Sequence, residues 1–132
     1  MTEPDRSVAW ILRIESAAIG VAGVVAWLTI GGSPILLIPA LLIPDLSALG
    51  YLAGPRVGAI TYNLVHNWAI AVAFALLAIF GHTLWPLAVA AILAAHVGFD
   101  RALGYGLKLP TSFQDTHLGR IGRRRPEAAT GP

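Results

Sequence analysis

The residues of this sequence that could carry chemistry lie inside stretches that are otherwise apolar. His96 and Asp100 are four residues apart in "AAHVGFDRALGYGLK" (94–108), and His66 follows Asn63 by three. Residues three or four apart share one face of an α-helix. An imidazole and a carboxylate on one face can bind a divalent metal or pass a proton. Either chemistry needs partner groups at the same place.

Two further acidic residues, Asp45 and Glu15, occur in other apolar stretches and can supply those partners. A helix rises about 1.5 Å per residue, so Asp45, His66 and His96 each lie roughly 12–13 Å from the polar end of their own stretch. The same estimate places Glu15 about 10 Å deep and Asp100 about 6 Å deep. The depths converge, which predicts one polar layer in the cytoplasmic half of a membrane.

Two His and two Asp facing a common centre would suit a divalent metal, and this mixture of ligands favours zinc, iron or manganese. The predicted ligands are Asp45, His66, His96 and Asp100. If an open position held an activated water, the site would resemble that of a metal-dependent hydrolase, with a lipid-like substrate and Glu15 as general base. Side chains that could orient the ligands or meet the substrate are Tyr62, Asn63, Arg56, Arg101, Tyr105 and His117. Arg56 or Arg101 would meet an anionic headgroup, and His117 could fold back from the tail as an extra ligand.

Two other interpretations fit the same residues. A layer of titrating groups could relay protons or take part in transport, and this would require a homo-oligomer because four helices form only a narrow pore. Alternatively, the layer could fix helix packing, since polar contacts between membrane helices contribute about 0.6–2 kcal/mol each. The chain contains no Cys, which excludes thiolate ligands and disulfides, and it has no GxSxG, Walker or GxGxxG motif.

The composition predicts a membrane protein. The chain has 132 residues, of which 56% are hydrophobic and 12% are charged, whereas a typical soluble domain is about 25% charged. We expect one domain, in contact with membrane lipids, that crosses the bacterial cytoplasmic (inner) membrane several times. The domain should cover residues 1–119, followed by a basic, disordered cytoplasmic tail over 120–132.

Four apolar stretches, at about 8–30, 34–53, 58–80 and 84–103, each have about the 20 residues that a membrane-spanning helix needs. Their short connections favour antiparallel neighbours, so the predicted fold class is all-α, a bundle of four transmembrane helices. Pro39 and Pro44 should kink the second helix or make it re-entrant.

The Lys and Arg residues predict the orientation. The connections "GGSP" (31–34) and "GHT" (81–83) contain none, whereas the 54–57 turn and the region after the fourth stretch do. The positive-inside rule therefore places both termini in the cytoplasm. The arginine cluster at 120–125 lacks interleaved aromatic residues, so we expect it to face lipid headgroups and not nucleic acid.

Two long segments, "PDLSALGYLAGPRVGAITYNLVHN" (44–67) and "AHVGFDRALGYGLKLPTSFQDTHLG" (95–119), resemble the family called domain of unknown function 4260. Its members are small bacterial integral membrane proteins, and the resemblance covers about residues 10–119. It implies a four-helix membrane protein without an assigned activity. The matching positions are Pro44, Asp45, Gly50, Tyr51, Tyr62, Asn63, His66, His96, Asp100, Arg101, Gly104, Tyr105, Gly106, Thr116, His117 and Gly119.

Overall fold

A computed structural model of the chain describes residues 6–122, which form five α-helices, one 3₁₀ helix and a short β-hairpin. The helices are α1 (Arg6–Thr29), α2 (Pro34–Leu42), the 3₁₀ helix (Pro44–Ala53), α3 (Pro55–Val65), α4 (Trp68–Gly81) and α5 (Trp85–Leu103). The antiparallel strands are β1 (Asp115–Thr116) and β2 (Gly119–Arg120). The tail predicted to be disordered lies outside the described residues from position 123 onward, whereas Arg120 belongs to β2.

Within the described part, three helical segments are long and apolar enough to cross a membrane: Ser7–Thr29, Pro34–Ala53 and Trp85–Leu103. The helices α3 and α4 qualify as a fourth span if they are taken together, although they meet at a bend of 41°. The chain is therefore mainly helical with three or four candidate spans, in line with the predicted fold class. The number of crossings and the orientation stay predictions.

The central helix is α5, because it holds most of the buried apolar residues that the structure describes. It packs most extensively against α1 and also contacts α4 and α2. The α1–α5 contact depends on glycine. A Cβ atom on Gly98 would lie 2.5 Å from Gly20 N and 2.6 Å from Ser16 O, and one on Gly23 would lie 2.5 Å from Ala95 N. Because glycine has no Cβ atom, these positions let the two helices approach backbone to backbone.

The second apolar stretch changes helix type where Pro44 follows α2. Pro39 lies inside α2 and Pro44 is the first residue of the 3₁₀ helix. Proline cannot donate the backbone hydrogen bond that would continue the α-helix. A 3₁₀ segment of ten residues is long for its type, and such segments are often found at functional sites. Here the change places Asp45 in the first 3₁₀ turn.

The third apolar stretch is broken at His66 and Asn67, whereas the sequence pattern predicted one continuous helix over 58–80. Asn67 makes the break possible because its side chain serves both helix ends. Its Oδ1 accepts the Ile70 N–H at 3.1 Å, and its Nδ2 donates to the carbonyls of Asn63 at 2.8 Å and Leu64 at 2.9 Å. Inside a membrane, backbone groups freed by a break must be satisfied by the protein itself.

After Gly104 the chain folds back against α3 as the return loop, which we define as residues 105–122. The Asn63 amide pairs with the backbone of Lys108 in both directions, accepting its N–H at 2.7 Å and donating to its carbonyl at 2.8 Å. The β-hairpin lies further along this loop, where Arg120 Nη1 is 2.9 Å from Asp115 Oδ1. One asparagine on α3 therefore holds the return loop beside the polar layer.

Candidate metal centre

Four side chains from three parts of the chain meet at one point. Asp45 comes from the first turn of the 3₁₀ helix, His66 from the break after α3, and His96 and Asp100 from one face of α5. The two Nε2 atoms are 3.0 Å apart, and Asp45 Oδ1 is 3.4 Å from each of them. Asp100 Oδ2 is 3.5 Å from His96 Nε2 and 3.9 Å from His66 Nε2.

The other nitrogen of each imidazole determines which tautomer is present. His66 Nδ1 is 2.9 Å from the Tyr62 carbonyl, and His96 Nδ1 is 2.7 Å from the Leu41 carbonyl. A carbonyl oxygen only accepts hydrogen bonds, so each Nδ1 carries a proton, and each ring in its neutral form presents an unprotonated Nε2. In that form two lone pairs and two carboxylates face one another, and a cation, either a metal ion or a proton, would join them.

Asp45 Oδ1 lies 3.4 Å from both imidazole Nε2 atoms, which is the spacing expected between ligands of one metal ion. Nitrogen and oxygen ligands lie about 2.0–2.2 Å from zinc, so partner atoms of a tetrahedral site stand roughly 3.3–3.6 Å apart. Asp45, His66 and His96 each offer one ligand atom, and all three atoms lie within 4.8 Å of one another. These residues therefore form a group that could hold a metal ion. Asp100 adjoins it as a fourth donor within reach of both imidazoles.

The cluster is closed on the imidazole side and open beside Asp45. The side chains of His66 and His96 are 2% and 8% exposed, whereas that of Asp45 is 52% exposed. Buried imidazoles are desolvated and held in place, which favours a fixed ligand geometry. Access to the cluster is therefore from the Asp45 side.

Tyr62 and Arg101 support the cluster without belonging to it. The Tyr62 ring stacks on the His66 imidazole with centroids 3.6 Å apart, and its hydroxyl donates to Asp100 Oδ2 at 3.1 Å. Arg101 Nη2 donates to the His66 carbonyl at 3.0 Å, and Nη1 donates to the Tyr105 carbonyl at 3.2 Å. Tyr62 thus orients two of the four side chains, while Arg101 satisfies a backbone oxygen freed by the helix break.

The remaining predicted site residues lie around this core. Arg56 is exposed in the first turn of α3, and Glu15 is exposed on α1 with no hydrogen bond or ion pair to the cluster among the described residues. Tyr105 is 40% exposed. His117 is exposed, and its Nδ1 accepts the Leu107 N–H at 2.8 Å within the return loop, so it is engaged away from the cluster. The functional roles predicted for these residues stay predictions.

The structure adds two side chains that the sequence patterns did not single out. Ser47 Oγ donates to the Pro44 carbonyl at 2.7 Å and lies 3.5 Å from His66 Nδ1. Lys108 is 4% exposed, and its Nζ lies 3.8 Å from the centre of the Phe113 ring and 4.9 Å from that of Tyr62. Burial lowers the pKa of Lys108, while the charges of Asp100 and Asp45 act in the opposite direction. A cation therefore lies next to the acidic cluster, held between aromatic rings.

The structure combines long apolar helices with a cluster of imidazoles and carboxylates between them. The class of protein is therefore an apolar, helical one that is compatible with a membrane and has a candidate metal site. The profile of one family, described as Domain of unknown function (DUF4260), matches residues 9–121, so the chain belongs to that family. No curated protein and no solved structure shows a significant match.

Proposed function

We propose that this protein is a membrane-embedded, metal-dependent hydrolase whose divalent ion is held by Asp45, His66 and His96. The observation that carries the proposal is the convergence of two imidazole Nε2 atoms and two carboxylates within 3.0–3.9 Å. When both rings are neutral with the proton on Nδ1, these atoms are all acceptors, and a metal ion would join them. Zinc, iron and manganese all accept this mixture of ligands.

The geometry also suggests how the roles divide. Three protein ligands with one open position are typical of catalytic zinc sites; Asp45, His66 and His96 would hold the ion, whose chemistry would be to lower the pKa of a water in the open position. Asp100 then acts as the base that takes the proton of this water, since Tyr62 holds its Oδ2 beside both imidazoles. Asp100 fits this role better than Glu15, which is exposed on α1. The deprotonated water would form a bond to the carbonyl carbon or phosphorus atom of the substrate, and Asp100 would return the proton to the leaving oxygen as the ester or phosphoester bond breaks.

The competing occupant of the cluster is a proton shared by the two imidazoles, as a proton-relay function would require. Elemental analysis of the protein purified in mild detergent and reconstituted with zinc, iron or manganese separates the two. We expect about one ion per chain in the wild type, lost in His66→Ala and His96→Ala. His82→Ala is the matched control, because His82 is exposed in the connection after α4.

No bound ion in the wild type would contradict the proposal, as would ions that persist at full occupancy in both variants.

The base is tested separately. Asp100→Asn keeps the three ligands and an acceptor for the Tyr62 hydroxyl, so it should retain the ion and lose turnover of a chromogenic long-chain ester or phosphoester. Asp45→Asn should lose both. Full turnover by Asp100→Asn would exclude Asp100 as the base.

A further inference from the structure

A large apolar groove opens beside the cluster, on the side of α2 and the 3₁₀ helix. Its volume is about 650 Å³, and its walls come from all six helices. Residues that represent the different walls are Trp27, Ile43, Ser47, Phe74, Ala88 and Ile92. Sites for small organic ligands are typically about 300–1,000 Å³, so the groove has room for one long hydrocarbon chain.

The polar groups in the walls are already engaged. The Trp27 indole N–H donates to the Ser33 carbonyl at 3.0 Å, and the Ser47 hydroxyl donates to the Pro44 carbonyl at 2.7 Å. The other residues that line the groove are apolar. A polar ligand would find no free donor there, and it would lose hydration without compensation. The groove therefore fits a hydrocarbon chain.

The groove ends at the cluster. Pro44 lines the groove and directly precedes Asp45, and Ser47 lines it while its Oγ lies 3.5 Å from His66 Nδ1. On α5, Ile92 lines the groove one helical turn before His96. A chain seated in the groove would thus bring its polar end to the open, Asp45 side of the cluster.

Charge complementarity indicates the nature of that polar end. The carboxylates of Asp45 and Asp100 are offset by nearby cations: the charge of Lys108 interacts with both, and that of Arg101 interacts with Asp100. A divalent ion would leave this region with an excess of positive charge. A head group that carries a negative charge would restore the balance at low cost in a poorly solvated site.

We propose that the groove and the cluster together bind a single-chain anionic amphiphile of the membrane, with the hydrocarbon chain in the groove and a carboxylate or phosphate head at the metal centre. The hydrocarbon part of this assignment rests on the groove alone. The head-group part rests on the proposed metal-dependent function. The ligand is a membrane lipid and not a soluble anion, because the apolar walls supply most of the contact.

The experiment uses the zinc-loaded protein in phosphatidylcholine nanodiscs and a long-chain fatty acid with a diazirine midway along its chain. Photolabelled positions are mapped by mass spectrometry at increasing probe content, with and without competing unlabelled fatty acid or lysophosphatidate. Labelling of groove residues should saturate and be displaced by the competitors. Labelling of the outward-facing Phe80, which is 78% exposed, should rise in proportion to the probe.

Two alanine-to-tryptophan variants add the same volume at different places. Ala88→Trp fills the groove and should weaken the saturable labelling by about tenfold or more. Ala73→Trp adds the same ring at an exposed position of α4 and should leave the labelling unchanged. The wild-type competition decides the question even if Ala88→Trp folds poorly.

Labelling in the groove that neither saturates nor responds to competitors would overturn the inference, because it would show non-specific lipid contact only. That result would leave the proposed function intact if the ion were still bound. Saturable labelling in a protein without bound ion, unaffected by a chelator, would overturn the assignment of the head group and contradict the proposed function, while the hydrocarbon site would stand. Displacement by lysophosphatidate at a much lower concentration than by fatty acid would identify a phosphate head.

Discussion

At the scale of single residues, the chemistry of the cluster depends on the hydrogen bond that the Nδ1 atom of each imidazole makes. Both Nδ1 atoms donate to backbone carbonyls, of Tyr62 and Leu41, that lie at the ends of α3 and α2. Carbonyls in the last turn of a helix have few backbone donors, and a carbonyl oxygen has two lone pairs, so Tyr62 accepts both the His66 N–H at 2.9 Å and the His66 imidazole. A histidine bound in this way to a carbonyl presents a fixed Nε2 to a metal.

Tyr62 provides the sharpest test of this arrangement. Tyr62→Phe keeps the ring that stacks on His66 and removes only the hydroxyl that donates to Asp100. Loss of a partner that orients a metal site typically costs about 10–100-fold in affinity or activity. We expect zinc affinity, measured by competition with a chelating dye, or turnover to fall within this range.

The matched control for that variant is Tyr51→Phe. The Tyr51 hydroxyl is buried and has no hydrogen-bond partner among the described residues, so its removal should not weaken metal binding. Equal losses of affinity and of turnover in the two variants would show that the Tyr62 hydroxyl has no specific role at the cluster.

His117 makes a pH-dependent contact in the return loop. Partial burial and the nearby positive charge of Arg101 lower the pKa of His117, and only an unprotonated Nδ1 can accept the Leu107 N–H. The unfolded loop binds the proton more readily, so the docked loop is most stable above the unfolded pKa of about 6.5. It loses stability as pH falls from that value through the lower pKa of His117 in the docked loop. Hydrogen exchange should show weaker protection of residues 107–117 at about pH 5.5 than at about pH 7.5, after correction for the intrinsic rate. His117→Gln should reduce this pH dependence, and an unchanged dependence in that variant would contradict the role of His117.

The sequence identified the members of the cluster because ionisable residues are rare inside apolar stretches. Asp45, His66, His96 and Asp100 stand out for this reason, and helix spacing places the last two on one face. It could not identify Lys108, whose surroundings come from Tyr62 and Phe113, far away in sequence. Ser47 was also missed, because its contact with His66 depends on how the 3₁₀ helix packs against α3.

At the scale of helices, the break at His66 and Asn67 turns an apolar stretch into part of a site. Hydropathy predicted one continuous helix over 58–80 because the apolar pattern does not change there. Asparagine is a preferred N-cap, so Asn67 before Trp68 was the local signal for a new helix start. The break points the His66 carbonyl at Arg101 and leaves the ring facing α5.

The close contact between α1 and α5 predicts the effect of a single methyl group. Gly98→Ala would place a Cβ 2.5 Å from the backbone of Gly20, so the two helices must separate. We expect a loss of about 1–3 kcal/mol in the free energy of unfolding, measured by denaturation in detergent. Gly81→Ala is the control, since its Cβ would meet only Thr83 Oγ1 at 3.6 Å. Equal stability of the two variants would contradict the close approach.

At the scale of the whole molecule, apolar side chains face outward on the long helices while the polar cluster lies between them. Exposed large apolar residues occur along α1, α2 and α4, far beyond what a water-soluble surface carries. The composition predicted the apolar exterior, and the depth and spacing of the ionisable residues predicted the polar layer. The sequence could not predict that the groove opens beside the cluster, because the walls of the groove come from six separate segments.

The charge distribution predicts the orientation in the membrane, and this prediction can be tested cleanly because the chain has no cysteine. Thr83 lies before α5 and Leu109 after it, on the side of the return loop that carries Lys108 and Arg120. The positive-inside rule places Leu109 in the cytoplasm and Thr83 outside. In intact bacterial cells, a maleimide that cannot cross the membrane should label Thr83→Cys, and it should label Leu109→Cys only after permeabilisation.

A second pair of single-cysteine variants, Ser33→Cys and Val57→Cys, brackets α2 and the 3₁₀ helix. If this stretch crosses the bilayer, Ser33→Cys should react in intact cells while Val57→Cys is protected, since Arg56 belongs on the cytoplasmic side. If both react or both are protected, the stretch is re-entrant. Relative to the four-span topology, α1 has its ends reversed when both are protected, and the helices after the stretch are reversed when both react. The first two variants, Thr83→Cys and Leu109→Cys, independently test which face of the membrane the cluster lies nearer. They can do so because Asp100 lies in the last turn of α5, shortly before Leu109. Labelling of Leu109→Cys in intact cells, with Thr83→Cys protected, would place the cluster at the outer face and reverse the side from which a substrate enters.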